Sequence, residues 1–566
     1  MSRYLRYIDK NETWRGEHTD RHIIDRFNET YDIIYDSDSF TPDPDAIGEF
    51  ARASQNGDYD LIYCDEDVIS DHHRIKPFFK PGYSPENERS LKYISGMIAL
   101  KKGQTPSDLS GYAREKVFHI EKVLYHRDKE RETPEPEASD PFVEKTEKKI
   151  SVILLSKDHP DMLERCVRSL RAALISDDTE LILIDNGSSK GCKRRYREIS
   201  KEHGIIYRYR ESEFNYSELN NFGVSQAKGD ILVFMNDDIE VPESEKGVIE
   251  KLAARADLED AGAVGIKLLY PGEEKIQHCG ITLLYSGPSH KLQGYRDESY
   301  YKGYSDHDIN ALAVTGACLA VRKDRFEAVG GFDEKLPVAY NDVDLCLKLY
   351  EKGFYNICMN SHHLIHYEGA TRTDDRKHRE AYERLKSERE YFNAKHGELV
   401  DSGDPFMNKN ITPYGLDFEI NLPYEWELSG LSDVKDSYGR IRKKKGIHAS
   451  LDRIDYRLAD AYGNEDFYEV TGWIFKEGFC RMSPCVVIEG EGGRCVADTA
   501  GMRRPDVGEA FSRFKKSADS GFMARIPAKE LERLGIKGEI TVYPAFAGRN
   551  RRIYKGDEEC QKKTEI

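Results

Sequence analysis

The sequence predicts a doubly wound, mostly parallel α/β sheet at its centre, preceded by a partial α/β segment and followed by an all-β sandwich. Three observations carry this expectation. Short, β-branched apolar runs alternate with helically spaced ones between residues 150 and 366, the pattern of a sheet covered by helices on both faces. Two charged, Pro- or Gly-bearing stretches interrupt the apolar pattern, at 127–148 and 427–450, and read as linkers. The last hundred residues offer only short alternating runs between Gly, Pro and Asp clusters.

Taken in order, residues 1–126 form the first part and the linker RDKERETPEPEASDPFVEKTEK closes it. The central part, 149–426, opens with ISVILLS, a strand. Pro160 then starts a helix, with Met162, Leu163, Cys166, Val167, Leu170 and Leu174 on one face. LILID, GIIYRYR and DILVFMNDD continue the strands. Ligands of such sheets sit at the carboxyl ends of strands, where this chain carries Ser156 and Asp158, Asp185 and Asn186, and Asn236, Asp237 and Asp238. AVTGACLAVRKDRFEAVGGFDEKL reads as strand, helix and Gly-Gly turn. NDVDLCLKLYEKGF is a helix with Asp342 and Asp344 at its start, and NSHHLIHYEGATR is a strand that ends near His366, followed by Arg372. After the second linker, with its basic run RIRKKK, FYEVTGWIF, CVVIEG, FMARIPA and EITVYPAFA supply the sandwich at 451–560.

Composition narrows the function. With 85 basic and 102 acidic residues the 566-residue chain carries a net charge of −17, which argues against a nucleic-acid partner. There is no apolar run long enough for an integral membrane segment, and MSRYLRYIDKNETWRGE has no secretory core, so a cytoplasmic location is expected. Eleven scattered cysteines read as reduced thiols, since Cys480 and Cys485 lack the second pair that tetrahedral zinc requires.

Each candidate residue has a structural and a chemical reading. Asp237 and Asp238 are turn formers or hard oxygen ligands for Mg²⁺ or Mn²⁺. Neighbours on a strand point to opposite faces, so Asp238 is taken as the ligand with Asn236 on its side, and Asp237 faces ribose or supports the site. Asp342 and Asp344 cap a helix, or one acts as a general base. Among His362, His363 and His366 one is a candidate metal or phosphate contact, and Arg372 suits phosphate or a surface ion pair.

In this order the motifs SVILLSKDHPDMLERCVRSL, LILIDNGSS, FNYSELNNFGVSQAKGDILVFMNDDIEV, VTGACLAVRKDRFEAVGGFDE, NDVDLCLKLYEKGF and HYEGATR resemble glycosyltransferase family 2, the inverting nucleotide-sugar enzymes of the GT-A fold. The resemblance spans 149–425. It implies Asp342 as catalytic base and Asp238 and His366 at a Mn²⁺ or Mg²⁺ ion. It also places Ser156, Asp158, Asp185, Asn186, Asn236, Asp237, Gly316 and Arg372 around the nucleotide sugar. The chain has Asn341-Asp342 where the family often has Glu-Asp, and Asn236-Asp237-Asp238 where it often has Asp-x-Asp. Further implications are a UDP or dTDP sugar donor, a glycan or lipid-linked glycan acceptor, and a place in bacterial surface polysaccharide or O-antigen synthesis at the inner face of the membrane.

GDYDLIYCDEDVI, PFFKPGYSPE and VFHIEKVLYHRDKE resemble the later portion of a second GT-A domain, with CDED matched to MNDD and VLYHRDKE to LIHYEGATR. This copy has no DNGSS strand and no room for a base-bearing helix, so a non-catalytic remnant that packs on the catalytic domain or a partner is expected. GWIF, RRPDVGEAF and DSGF resemble a β-sandwich appended to some bacterial transferases, for acceptor binding, assembly or capping. Three rival readings are a sugar nucleotidyltransferase, which lacks its Gly-rich phosphate loop here, a non-catalytic glycan-binding or assembly scaffold, and a peripheral membrane role for RIRKKKG. The oligomeric state is not legible.

Overall fold

The computed structural model describes the chain apart from residues 1–3, 5–6, 9–18, 37–39, 71–72, 106, 131–145, 177, 273, 285–286, 368–378, 414, 422–430, 437–440, 458–465, 479–481, 503, 515–516, 549–551, 556–561 and 566. Contacts gather residues 1–421 into one compact unit and 422–566 into another. Among the described residues no helix is long and apolar enough to cross a membrane.

The first unit starts with α1 (Arg21–Thr30), β1 (Tyr31–Tyr35), β2 (Phe40–Pro42), α2 (Ala46–Ala53), β3 (Leu61–Ser70), β4 (His73–Phe78), α3 (Pro85–Leu91), β5 (Met97–Lys101) and β6 (Val117–Arg127). Their sheet has the order β1-β5-β3-β6-β2, with β4 beside β3. Phe27, Phe50, Ile62, Ala99 and Leu124 form one of its cores.

The central sheet follows with β7 (Ile150–Ser156), α4 (Pro160–Ala173), β8 (Glu180–Asp185), α5 (Lys190–Glu202), β9 (Ile206–Tyr209), α6 (Tyr216–Gln226) and β10 (Ile231–Asn236). Strands β7 to β10 are parallel. They are apolar on both faces because helices cover both, and Leu163, Val167 and Leu170 of α4 share a core with Val152 and Leu154. Next come β11 (Ile239–Glu240), α7 (Val248–Asp257), β12 (Ala261–Leu269), β13 (Ile276–His278), β14 (Ile281–Leu284), β15 (Gly287–His290), β16 (Ile309–Asn310) and β17 (Cys318–Arg322). The unit ends with α8 (Lys323–Ala328), α9 (Asn341–Glu351), β18 (Tyr355–His366) and α10 (Arg379–Ser402). The order is β11-β18-β12-β17-β10-β7-β8-β9. Strand β17 runs antiparallel to both β10 and β12, so the sheet is mixed on this side.

The two sheets are built from the same sequence of elements. Strand β3 pairs antiparallel with β4 and β5 and parallel with β6, just as β12 pairs with β13, β17 and β18. Strand β1 lies antiparallel to β5 as β10 does to β17, and β2 lies on the end of β6 as β11 does on β18. Even the exit bond recurs: Asp36 N–H donates to the Gly96 carbonyl at 3.2 Å, and Asn236 N–H to the Ala317 carbonyl at 2.9 Å. This corrects one sequence match. CDED lies on the counterpart of β12, and the counterpart of MNDD is Tyr35-Asp36-Ser37-Asp38, of which 37 and 38 lie outside the described residues. A short acidic motif fits more than one strand end, whereas pairing partners identify the strand. The match of VLYHRDKE to LIHYEGATR agrees with β6 and β18 as counterparts.

Among the described residues nothing in the first sheet corresponds to β7–β9. Between β5 and β6 the described residues form only two single turns, Leu109–Gly111 and Arg114–Lys116, where the central domain has α8 and α9. The first sheet packs on the central one through α3. Arg255 meets Glu86 at 2.9 Å and Asp308 at 3.1 Å, Arg89 meets Asp260 at 2.9 Å, and Glu86 N–H donates to Asn310 Oδ1 at 2.8 Å.

The second unit is a β-sandwich. One sheet joins Ile447–Arg457, Phe467–Lys476, Gly521–Pro527 and Ala500–Met502, and the other is centred on Ser483–Glu491 and Lys537–Gly548. Val470, Ile474 and Phe522 from the first face Val486, Ile488 and Val542 from the second in one core. The stretch read as a linker at 427–450 contributes strands Val434–Lys435 and Ile441–Lys443. These edge strands bury few side chains, so they carry no apolar alternation to betray them.

Candidate active site

The site is built where β10 ends. The turn at Asp237-Asp238 leads into β11, whose Ile239 stands opposite His366 at the end of β18. This register sets His366 Nε2 3.1 Å from Asp238 Oδ1, while Tyr367 N–H donates to the Asp238 carbonyl at 3.0 Å. Gln277 Oε1 lies 2.6 Å from His366 Nδ1, and Asn236 Nδ2 lies 3.4 Å from Nε2. Asp238 Oδ1 is buried without a hydrogen-bond donor. A carboxylate oxygen left this way beside an imidazole nitrogen suits a hard divalent cation, so the donor set fits the implied ion. Among the described residues no third His, Cys, Asp or Glu joins this pair.

Asp237 points to the other side. Its carboxylate accepts from Ser156 Oγ. Tyr196 OH lies 2.6 Å from that Oγ and accepts from His159 N–H at 2.9 Å. Hydrogen bonds directed from His159 through Tyr196 and Ser156 thus converge on Asp237. Burial, with the charge of Asp238 adding to it against the Ser156 bond, pushes the Asp237 carboxyl up to about 7.

The β7 and β8 ends interlock. Asp158 adopts a left-handed backbone (φ 59°); its N–H donates to Ser188 Oγ at 3.0 Å and its Oδ1 accepts from Ser189 N–H at 2.8 Å. Asp185 is buried, with Oδ1 accepting from Ser188 N–H at 2.9 Å and Oδ2 from Tyr207 OH at 2.6 Å. Asn186 is buried against the 210–212 backbone and Ser212. Beside them an open hollow of about 510 Å³ is lined by Asp158, His159, Met162, Arg165 and Tyr367.

Asp342, in the first turn of α9, is half-buried, and its Oδ2 accepts from Gly316 N–H at 2.9 Å. Tyr216 OH donates to the Gly316 carbonyl at 2.7 Å, and a Cβ on Gly316 would stand 2.8 Å from that hydroxyl. The neighbouring Ala317 is the residue bonded to Asn236, so the Gly316-Ala317 segment lies between Asp342 and the β10 end. Asp344 is different. It is fully buried and bound by His396 at 2.8 Å, Lys395 at 2.6 Å and Lys348 at 3.0 Å. Despite its burial these partners hold its carboxyl down at about 2.

The three histidines also separate. His362 and His363 sit 2.7 and 3.2 Å from Glu245, away from Asp238, because β18 bulges between Met359 and His363. Only His366 reaches the acidic turn. Arg372 lies outside the described residues. Gln277 and Tyr196 were not found by sequence reasoning: each comes from a segment with no motif, and only strand register and helix packing bring it to the site.

Residues 151–322 match the family model for Glycosyl transferase family 2. This chain carries a glycosyl transferase family 2 domain. The glycosyltransferase motifs therefore fall on β7, β8, β10 and β17, the strands whose ends assemble the geometry above. The chain is 28% identical over 440 residues to the O-antigen biosynthesis protein RfbC of Myxococcus xanthus, covering 66% of this chain and 33% of the relative. It is 32% identical over 287 residues to the uncharacterized protein y4gI of Sinorhizobium fredii (strain NBRC 101917 / NGR234), covering 50% and 31%. It thus spans about a third of the length of these curated relatives. Among solved structures it is similar to the mannosyltransferase PcManGT from Pyrobaculum calidifontis in complex with GDP-Man and Mn²⁺ (13% identity, TM-score 0.33, 49% of this chain and 69% of that one). A second is GalNAc-T7 with UDP, GalNAc and Mn²⁺ (12% identity, TM-score 0.36, 72% and 81%).

Proposed function

We propose that this chain transfers a sugar from a UDP or dTDP sugar to a hydroxyl of a glycan or lipid-linked glycan, with inversion, in O-antigen or similar surface polysaccharide synthesis. The observation that carries the reading is the placement of Asp342 and the Asp238–His366 pair around the Gly316-Ala317 segment at one sheet edge. Asp342 takes the acceptor proton while the acceptor oxygen forms a bond to C1 and the bond from C1 to the diphosphate oxygen breaks. Gly316 N–H holds Oδ2 of Asp342 and Val343 N–H holds Oδ1, and each carboxylate oxygen keeps a further lone pair for the acceptor. Asp238 and His366 hold Mn²⁺ or Mg²⁺, which when bound offsets the charge developing on the departing diphosphate. Ser156, Asp158, Asp185, Asn186, Asn236 and Asp237 shape the nucleotide and ribose side, with Arg372 assigned to the diphosphate. The printed function of the M. xanthus relative supports the polysaccharide context.

Product analysis after a thermal-shift screen of nucleotide sugars with Mn²⁺ tests this reading. Asp342→Asn should keep nucleotide binding and lower kcat by about 10² to 10⁴, the contribution of a positioned base. Near-normal turnover by that variant removes Asp342 from its role.

The first sheet is proposed as a non-catalytic scaffold. Among the described residues it has no counterpart of β7–β9 or of α9, and Asp36, Asp65, Glu66 and Asp67 are engaged within the chain. Asp65 accepts from Lys80 N–H at 2.9 Å and from Asn408 Nδ2 at 2.9 Å, tying β3 to the segment after α10. Asp65→Asn and Asp67→Asn should turn over normally per folded molecule; loss of turnover in folded protein contradicts the scaffold role.

A further inference from the structure

We propose that Gln277 is the positioning residue that sets the tautomer of His366 and thereby makes its Nε2 a ligand of the cation shared with Asp238. This rests on the reading that Asp238 and His366 hold that cation. Gln277 is carried by β13, which pairs with β12 through Leu269 and Ile276, and β12 pairs with β18 through Leu269 and Ile365. Two consecutive registers therefore bring Gln277 beside His366, 89 residues away in sequence.

Both side chains are withdrawn from water, with Gln277 3% and His366 7% exposed. The amide nitrogen of Gln277 faces the His366 carbonyl at 3.4 Å, which turns Oε1 toward Nδ1 at 2.6 Å. A carbonyl oxygen only accepts, so the Nδ1 position carries the proton and Nε2 presents its lone pair. Asn236 Nδ2, 3.4 Å from Nε2, is a donor that this lone pair meets, and Asp238 Oδ1 stands 3.1 Å from Nε2 with no hydrogen bond from it and no donor of its own. Two acceptors this close in a buried place repel unless a cation lies beside both. Without Gln277 the imidazole is free to protonate Nε2, bond to Asp238 and close the site. An accepting group behind a ligating imidazole also raises its basicity, and loss of such a group lowers metal affinity about 10- to 100-fold.

The test is Mn²⁺ titration of the full chain with and without UDP, read by the electron paramagnetic resonance signal of free Mn²⁺. Gln277→Met keeps the length and removes the acceptor, and should weaken Mn²⁺ binding about 10- to 100-fold. Gln277→Glu restores an acceptor and should bind Mn²⁺ at least as tightly as the wild type. Gln277→Asn, too short to reach Nδ1, should resemble Gln277→Met and serves if the latter fails to fold. Wild-type affinity in the Met and Asn variants overturns the inference, as does equal loss in the Glu variant, which would make Gln277 merely structural. Asp238→Asn separates the two levels. If it binds Mn²⁺ like the wild type, or if the wild type binds none, the metal reading itself fails; if it loses Mn²⁺ while Gln277→Met does not, only the role of Gln277 fails.

Discussion

The exit of β1 at Asp36 and the turn after β10 lie at corresponding ends of two related sheets, and the described acids there are met in opposite ways. At the first, Arg127 at the end of β6 reaches Asp36 at 2.6 Å and Glu66 at 2.8 Å, Tyr125 OH donates to Asp36 at 3.0 Å, and Lys80 lies 3.1 Å from Glu66. At the second, the end of β18 offers a histidine, and Asp238 Oδ1 is left without a donor. An arginine is a permanent internal cation that satisfies buried carboxylates from within the chain. At Asp238 the proposed site leaves the charge to be met by a cation from outside the chain. Among the described residues the first sheet has no counterpart of β7–β9 and carries this ion-pair cluster at Asp36 and Glu66, while Arg255, Glu86 and Arg89 tie it to the central domain.

The largest effect expected is on the closed side. Arg127→Met takes from the buried Glu66 one of its two cations, leaving Lys80, and from the exposed Asp36 its arginine partner, and urea unfolding should show a loss of about 3 kcal/mol, with turnover per folded molecule unchanged. Unaltered stability would mean that the cluster does not substitute for a bound cation. On the open side Asp238→Asn should lower kcat/KM by about 10² to 10³, whereas Asp36→Asn should leave it at the wild-type value in folded protein. Equal losses in the two variants would make both sites functional and erase the contrast.

A third prediction concerns α9, the helix that the first sheet lacks. Asp344 is held at about 2, below its unfolded value, so its stabilisation is present above about pH 4 and is lost as pH falls toward 2. Asp344→Asn should lower stability by about 2 kcal/mol at pH 7 and flatten the acid limb of the stability profile. An unchanged limb would show that His396, Lys395 and Lys348 do not anchor the helix through this carboxylate. The smallest effect is expected for Tyr196→Phe, which removes one hydroxyl from the bonds converging on Asp237. About 0.5–1.5 kcal/mol should appear as a raised KM for the donor, with kcat little altered; an unchanged KM would leave Tyr196 with packing alone.

Much of this is legible in the sequence. The strands β7 to β10 announce themselves as apolar runs because helices bury both faces, and their ends carry acids that a buried turn must account for. What was not legible depends on pairing. Nothing in NSHHLIH says which histidine meets Asp238; the bulge after Met359 decides it, turning His362 and His363 to Glu245. Gln277 gives no signal because its partner is 89 residues distant, and CDED misled because acidity alone does not reveal which neighbours a strand will take. The strands at 434–435 and 441–443 hid for the same physical reason, since edge pairing is made by backbone and asks little of side chains.

The contrast between the two turns is tested most directly by anomalous diffraction at the manganese edge from crystals of the full chain grown with UDP and Mn²⁺. The account predicts one manganese peak between Asp238 Oδ1 and His366 Nε2 and none at Asp36, Glu66 and Arg127. A peak in the first sheet, or its absence beside Asp238 while UDP is bound, would contradict it.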